Sequence, residues 1–332
     1  MKERITYYDS LRGLAIIGVV FIHTIKYQDP AFLNAEIIFR QIINFSVPLF
    51  LALSGFFLAE KQIQNKEQYF HFLKKQIPRV YLPYFLWSLL YIFIGIAKTK
   101  EFSIAQTLLN LLIFQTIPIF YYVGLIIQYY LLLPFFQKHL SHKLLGLSVF
   151  ISIISCAIIF SIQYFTHYSI PLILYAGNGF TWVMFFILGM YLRVHKFNIS
   201  KPLVFLMVLV SLGLSIIETF WSWNLLGSIG NAISAVKISS FIYSAFIIIL
   251  LLNFRVPKTK IFNDLGKVSY AVYLLHILVL MFITKLVLYF KLPYNSFYIE
   301  LFIGSLTILS SYLICITLRM INKNLASKYL GI

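Results

Sequence analysis

The chain has 332 residues, of which 61% are hydrophobic, 18% aromatic and only 11% charged, with a formal net charge of +17. That composition excludes an ordinary soluble globular domain. Runs of about eighteen or more mainly apolar residues, each able to cross a hydrocarbon core of about 30 Å, recur from end to end, which implies an all-α integral membrane protein. A barrel would show alternating segments of about ten residues instead.

In chain order, the first apolar run follows Met1-Lys2-Glu3-Arg4 and imitates a signal peptide, yet it holds Arg12 and His23 and lacks a small-residue cleavage site. It reads as a retained helix over 8–25. Further spans are expected over 42–59, 80–97, 119–136, 144–165, 171–192, 202–221, 231–253, 269–290 and 297–318, giving about ten transmembrane helices. Segment 104–117 carries Gln106, Asn110 and Gln115 and is too short to cross, so it reads as one short interfacial or re-entrant helix.

Charge placement fixes that choice. With ten crossings and cytoplasmic N- and C-termini, nineteen of the 27 Lys and Arg residues fall on inner segments, while Lys26, Lys98, Lys100 and Lys291 are outside. Counting 104–117 as a crossing would move twelve of the nineteen outward. The positive charge is therefore topological and implies no nucleic acid partner, since no basic soluble domain carries it. The longest polar stretch, about 60–79, is a cytoplasmic loop, and the chain reads as a single membrane-embedded domain over 1–332. Cys156 and Cys315 fall inside apolar spans without a partner motif. No HExxH pattern or acidic cluster points to a metal.

Four stretches carry chemistry. In "DSLRGLAIIGVVFIH" (9–23), eleven steps separate Arg12 from His23, so the two return to one helix face within about 20° and lie about 16 Å apart along the axis, His23 deep in the membrane. Asp9, three residues earlier, is placed to pair with Arg12. Ionisable groups inside a membrane mark function or a structural partnership. Alone, Arg12 also reads as a topology anchor and His23 as an interhelical hydrogen bond; the shared face favours a joint role, with His23 as a base toward a hydroxyl. In "VPLFLALSGFFLA" (47–59), Pro48, Ser54 and Gly55 interrupt an apolar helix, which small-residue packing also explains. "FLKKQIPRVYLPY" (72–84) sets Lys74, Lys75 and Arg79 before a span, as topology charges or as a polyphosphate site. In "LGKVSYAVYLLH" (265–276), Ser269, Tyr273 and His276 recur on one helical face.

These stretches, in this order, resemble the membrane-bound acyltransferase family 3, bacterial proteins that O-acylate carbohydrates of the cell envelope. "YYVGLIIQYYLLLPFF" (121–136) and "FFILGMYLR" (185–193) are similar to the family's middle spans, so the resemblance covers nearly the whole chain. One departure is plain: many members carry a glutamate in the middle helix, where Ile126, Ile127 and Gln128 stand here.

The resemblance implies an O-acyltransferase of the bacterial cytoplasmic membrane. It would take an acyl group, most often acetyl, from cytoplasmic acetyl-CoA to a hydroxyl of an envelope polysaccharide or glycolipid. On that reading His23 is the base, Arg12 positions the donor phosphates and Asp9 orients Arg12. Arg12, Lys74, Lys75, Arg79 and Ser54 form the donor side, and His276, Tyr273, Ser269 and Lys237 the acceptor side; Glu218 and Lys285 are further acceptor-side expectations. The alternative is an exporter of an envelope polysaccharide or its lipid-linked precursor. Such carriers often show paired interrupted helices, and the "AGNG" break at 176–179 has no evident counterpart in the sequence. A scaffold for a synthase complex would need neither Arg12 nor His23.

Overall fold

The computed structural model describes residues 6–25, 34–61, 63–168, 170–254, 260–292 and 296–332. Of the charges used above, Lys2, Arg4, Lys26, Arg255 and Lys258 lie outside the described residues. Among those described, every regular element is helical. The order is α1 (Thr6–Thr24), α2 (Ala35–Ile43), α3 (Ser46–Leu58), α4 (Lys66–Thr99), α5 (Ile104–Leu112), a 3-10 turn (Pro118–Phe120) leading into α6 (Tyr121–His139), α7 (His142–Thr166), α8 (Leu172–Tyr175) and α9 (Gly179–Val194). Then follow α10 (Lys201–Leu226), α11 (Ile229–Ala232), α12 (Ile238–Asn253), α13 (Lys260–Lys267), α14 (Ser269–Tyr289), α15 (Phe297–Ile321) and α16 (Lys323–Tyr329).

Seven helical stretches are long and apolar enough to cross a membrane: Ala35–Leu58, Lys66–Thr99, Pro118–His139, His142–Thr166, Lys201–Leu226, Ser269–Tyr289 and Phe297–Ile321. The chain is a multi-pass membrane protein. The other three expected spans differ for physical reasons. Helix α1 has 19 residues but carries Asp9 and Arg12 in its first half. Helices α9 and α12 have 16 residues each, about 24 Å, because the chain breaks before them. Segment 104–117 gives only the nine-residue α5, capped by Ser103, whose Oγ accepts from Gln106 N at 3.4 Å.

The break ahead of α9 sits at Gly177 and Asn178, and it does have a counterpart: α11 stops at Ala232 and α12 starts only at Ile238. The sequence hides this second break because Gly227 and Gly230 fall ahead of it, at the end of α10 and within α11, and neither proline nor glycine occurs in 233–237. What holds it open is the buried Lys237, whose Nζ donates to the Ser215 and Ala232 carbonyls at 3.0 Å each and to Thr219 Oγ1. The first break is tied by Gln128, whose Nε2 donates to Gly177 O at 2.9 Å while its Oε1 accepts from Gly179 N at 3.0 Å. Between α2 and α3 the helix breaks for a third reason. Pro48 has no N–H to offer the Asn44 carbonyl, and the chain turns at residues 44–45.

Three of the outer helices turn small and polar residues inward and large apolar residues outward. Ser148, Ser152 and Cys156 of α7, Ser211, Ser215 and Thr219 of α10, and Gly304, Thr307, Ser311 and Cys315 of α15 recur at helical spacing and point inward or pack tightly. Phe150, Ile154, Leu206, Leu209, Leu309 and Leu313 of the same helices are exposed. In lipid there is no apolar penalty for that arrangement, and small inward residues let helices approach closely.

The closest approaches involve glycine. A Cβ on Gly55 would overlap the Phe186 carbonyl, and one on Gly189 the Ala52 carbonyl, so α3 and α9 touch backbone to backbone. Gly13 meets the Phe262 carbonyl and Gly266 meets that of Asp9, which clamps α13 onto the first half of α1.

Leucine at position 189 should therefore force α3 and α9 apart, at an overpacking cost of about 1–3 kcal/mol or more. Gly213→Leu, where a Cβ meets nothing within 4 Å, is the control. Thermal unfolding in detergent should show a lower midpoint for the first variant only; equal midpoints would contradict the packing described.

Candidate functional site

Helix α1 forms because a long apolar run follows a short polar start with no proline in it, and its two glycines, Gly13 and Gly18, are held by tight packing. Asp9 opens it, and Arg12 Nη1 donates to Asp9 Oδ1 at 3.0 Å, the i,i+3 pair expected from the spacing. The guanidinium also lies 4.8 Å from the centre of the Phe57 ring of α3. Asp9 is buried and Arg12 is half-exposed, so the carboxylate is a fixed anchor and the guanidinium faces open space. His23 stands in the last turn of α1, nearer the end of the helix than its middle.

Both side chains open onto one cavity of about 520 Å³. Five cations line it: Arg12, Arg79 from α4, Lys267 from α13, Arg319 from the end of α15 and Lys323 from α16. No carboxylate side chain joins them on the wall among the described residues, although Lys267 pairs outside the wall with Asp264 at 2.6 Å. Ser54, Tyr121, Tyr122, Ser269, Tyr270 and Tyr273 supply polar groups deeper in. Two tyrosines are fixed by donating to backbone carbonyls, Tyr270 to Val80 and Tyr273 to Ile119.

A second cavity of about 400 Å³ lies in the half away from those cations, lined by Arg40, Tyr121, Tyr175, Trp182, Gly230 and Ser234 among others. Five residues belong to both walls: Val19, His23, Val47, Ile119 and Tyr121. Of these only His23 and Tyr121 carry groups that exchange protons. His23 is exposed although walled by protein, because its surface faces these two spaces.

Behind His23 stands His276, fully buried, with ring centres 5.5 Å apart. His276 Nδ1 lies 2.8 Å from Tyr273 O and 3.1 Å from Val272 O, so its hydrogen sits on Nδ1 and Nε2 is left as the inward-facing nitrogen. Among the described residues Nε2 has no hydrogen-bond partner.

The structure thus gathers Arg12, His23, Ser54, Arg79, Ser269 and Tyr273 around one space, with Asp9 holding Arg12. It leaves the other sequence-derived residues off that wall. Gln76, Arg79 and Val80 mark the cavity face of α4; at 100° per residue Lys75 points about 90° away and Lys74 nearly opposite, and both are exposed. Ser269 and Tyr273 lie with the cations and not on the second cavity, while Lys237 and His276 line neither. Glu218 accepts from Ser239 N at 2.8 Å, and Lys285 is exposed and lines neither cavity. Sequence reasoning missed Arg40, Lys267, Arg319 and Lys323 as wall residues. The last three look like ordinary cytoplasmic charges until α13 and α16 fold back; Arg40 had a signal, a lone cation in "EIIFRQIINF".

Among the described residues no group of three or more His, Cys, Asp or Glu gathers as a metal site. The model of an acyltransferase domain, that of family 3, matches residues 5–316. Neither the curated proteins nor the solved structures contain a match to the chain.

The cation-lined cavity should bind polyphosphates. Removing Arg79 or Arg319 by alanine should weaken coenzyme A binding about tenfold, whereas Lys74→Ala and Lys75→Ala should change it by less than about twofold. Titration calorimetry on the detergent-purified protein measures this; an equal loss in all four variants would refute the assignment of the wall.

Proposed function

The chain belongs to acyltransferase family 3, and on that premise we propose that it carries an acyl group, acetyl in the simplest case, from cytoplasmic acyl-CoA to a hydroxyl of an envelope carbohydrate. The observation that carries this reading is the position of His23 on the common wall of two cavities, one ringed by five cations and one that carries Arg40 alone among the described residues. Five cations, joined on the wall by no aspartate or glutamate among the described residues, suit the nucleotide phosphates of the donor. From Arg12 to His23 the rise along α1 is about 16 Å, a distance that a pantetheine arm can span.

The chemistry follows from the histidine. A hydroxyl entering from the second cavity gives its proton to the His23 imidazole as its oxygen attacks the thioester carbonyl. The C–O bond forms, the C–S bond breaks, and the departing thiolate takes that proton back from the imidazolium. His276 packs behind the ring and restricts its tilt. Asp9 keeps the Arg12 guanidinium extended toward the donor phosphates. Ile126 and Ile127 of α6 supply no carboxylate, and Gln128 beside them is committed to two backbone bonds at the α9 break.

The topology we propose has ten crossings: the seven long helices, α1, α9 and α12, with both ends and the cation-lined cavity facing the cytoplasm of a bacterial cell. Export of a glycan is the second reading, and the two broken helices that border the second cavity favour it. They run in the same direction, however, and neither enters the first cavity's wall.

His23→Gln should cut acyl transfer by about 10² to 10⁴ with the donor KM unchanged, and Arg12→Ala should mainly raise that KM. Radiolabelled acetyl-CoA consumption by purified protein measures both; full turnover in His23→Gln removes the base, and glycan export surviving loss of both residues favours the carrier. For topology, single cysteines replacing Lys100, Gln115 and Thr166 should all label from the outer face and one replacing Ser141 only from the inner. Inner labelling at Gln115 would make α5 a crossing.

A further inference from the structure

Among the described residues Arg40 is the one cation on the wall of the second cavity, and it is buried. A guanidinium presents five N–H donors, and among the described residues only Nη1 is engaged, by Asn44 Oδ1. No described carboxylate forms an ion pair with it. The side chains that hold it are neutral and fully buried: Asn44 Nδ2 donates to Gln41 Oε1 at 2.9 Å, Ser215 Oγ donates to the same oxygen at 2.9 Å, and Ser215 and Ser240 share a further bond of 2.9 Å; beyond them lies a second cation, Lys237, on the Ser215 carbonyl. That network ties α2 to α10 and α12 and fixes the guanidinium toward the cavity without neutralising it. A buried charge without a counter-charge is costly, and a partner of opposite sign entering the cavity relieves that cost. Tyr121 and Tyr175 supply the flat faces that sugar rings pack against, and the buried Trp182 lies on the same wall as a fluorescent reporter.

We infer that this cavity selects an acidic saccharide, one bearing a carboxylate or phosphate that Arg40 holds while a neighbouring hydroxyl faces His23. The inference rests on the acyl-transfer reading for the role of His23, but the recognition of charge does not need the reaction to occur.

Binding therefore tests it independently of turnover. Tryptophan fluorescence of the purified protein in lipid nanodiscs, without donor, would be titrated with methyl glucuronide, glucose 1-phosphate and methyl glucoside. At least one acidic probe should bind ten times or more tighter than the neutral one, and which acid wins separates a uronate from a sugar phosphate. Arg40→Gln should abolish that preference and Arg40→Lys should keep part of it, while coenzyme A binding, measured in the same samples, stays at the wild-type level and reports intact folding. Equal affinity for acidic and neutral probes in the wild type, no binding of either acid, or an unchanged preference in a folded Arg40→Gln would each overturn the inference. Loss of the preference together with His23-independent acetyl-CoA consumption would leave it standing and sink the acyl-transfer mechanism instead.

Discussion

The close seating of α13 on α1 is the constraint from which the site follows. Two glycines, Gly13 and Gly266, give up their side chains so that carbonyls of the opposite helix can occupy the space. Nothing larger fits there. Because α13 lies on that flank, the chain leaving it at Lys267 re-enters the bundle as α14 beside the Arg12 side of α1, and Gly266, Lys267, Ser269 and Tyr273 become wall residues in one short run. The same seating buries Asp9, whose carboxylate then holds Arg12 at the rim.

A second consequence concerns charge. The first cavity gathers its cations from α1, α4, α13, α15 and α16, which are distant in sequence and share only the end of the bundle at which they start or finish. Positive charge is thereby concentrated at one opening, and on the proposed topology the same residues serve both orientation in the membrane and anion attraction. The second cavity receives Arg40 alone, held by amides and hydroxyls.

Much of this was legible in the sequence where one helix carries the message. The alignment of Arg12 with His23 and the Asp9 pairing follow from 3.6 residues per turn, and both hold in the structure. The shortness of α5 followed from Gln106 and Asn110. What was not legible depends on helices meeting. Lys74 and Lys75 look equivalent to Arg79 in a string, yet the face of α4 that turns inward separates them. Lys237 reads as a ligand because it is a membrane lysine, but its three bonds go to α10 and α11, which no local pattern announces. Arg319 and Lys323 read as stop charges until α16 turns back across the opening. The second helix break is not marked by a proline, because a lysine ammonium satisfies the freed Ala232 carbonyl.

Helices α9 and α12 pack side by side, with the Trp182 and Phe241 ring centres 5.2 Å apart, and each measures about 24 Å against a hydrocarbon slab of about 30 Å. Helix α9 is buried along nearly its whole length, so its shortfall is met by protein and not by lipid. Two short helices side by side leave a recess inside the bundle above Tyr175 and Ser234, and that recess is the second cavity, which reaches His23 without any helix having to move.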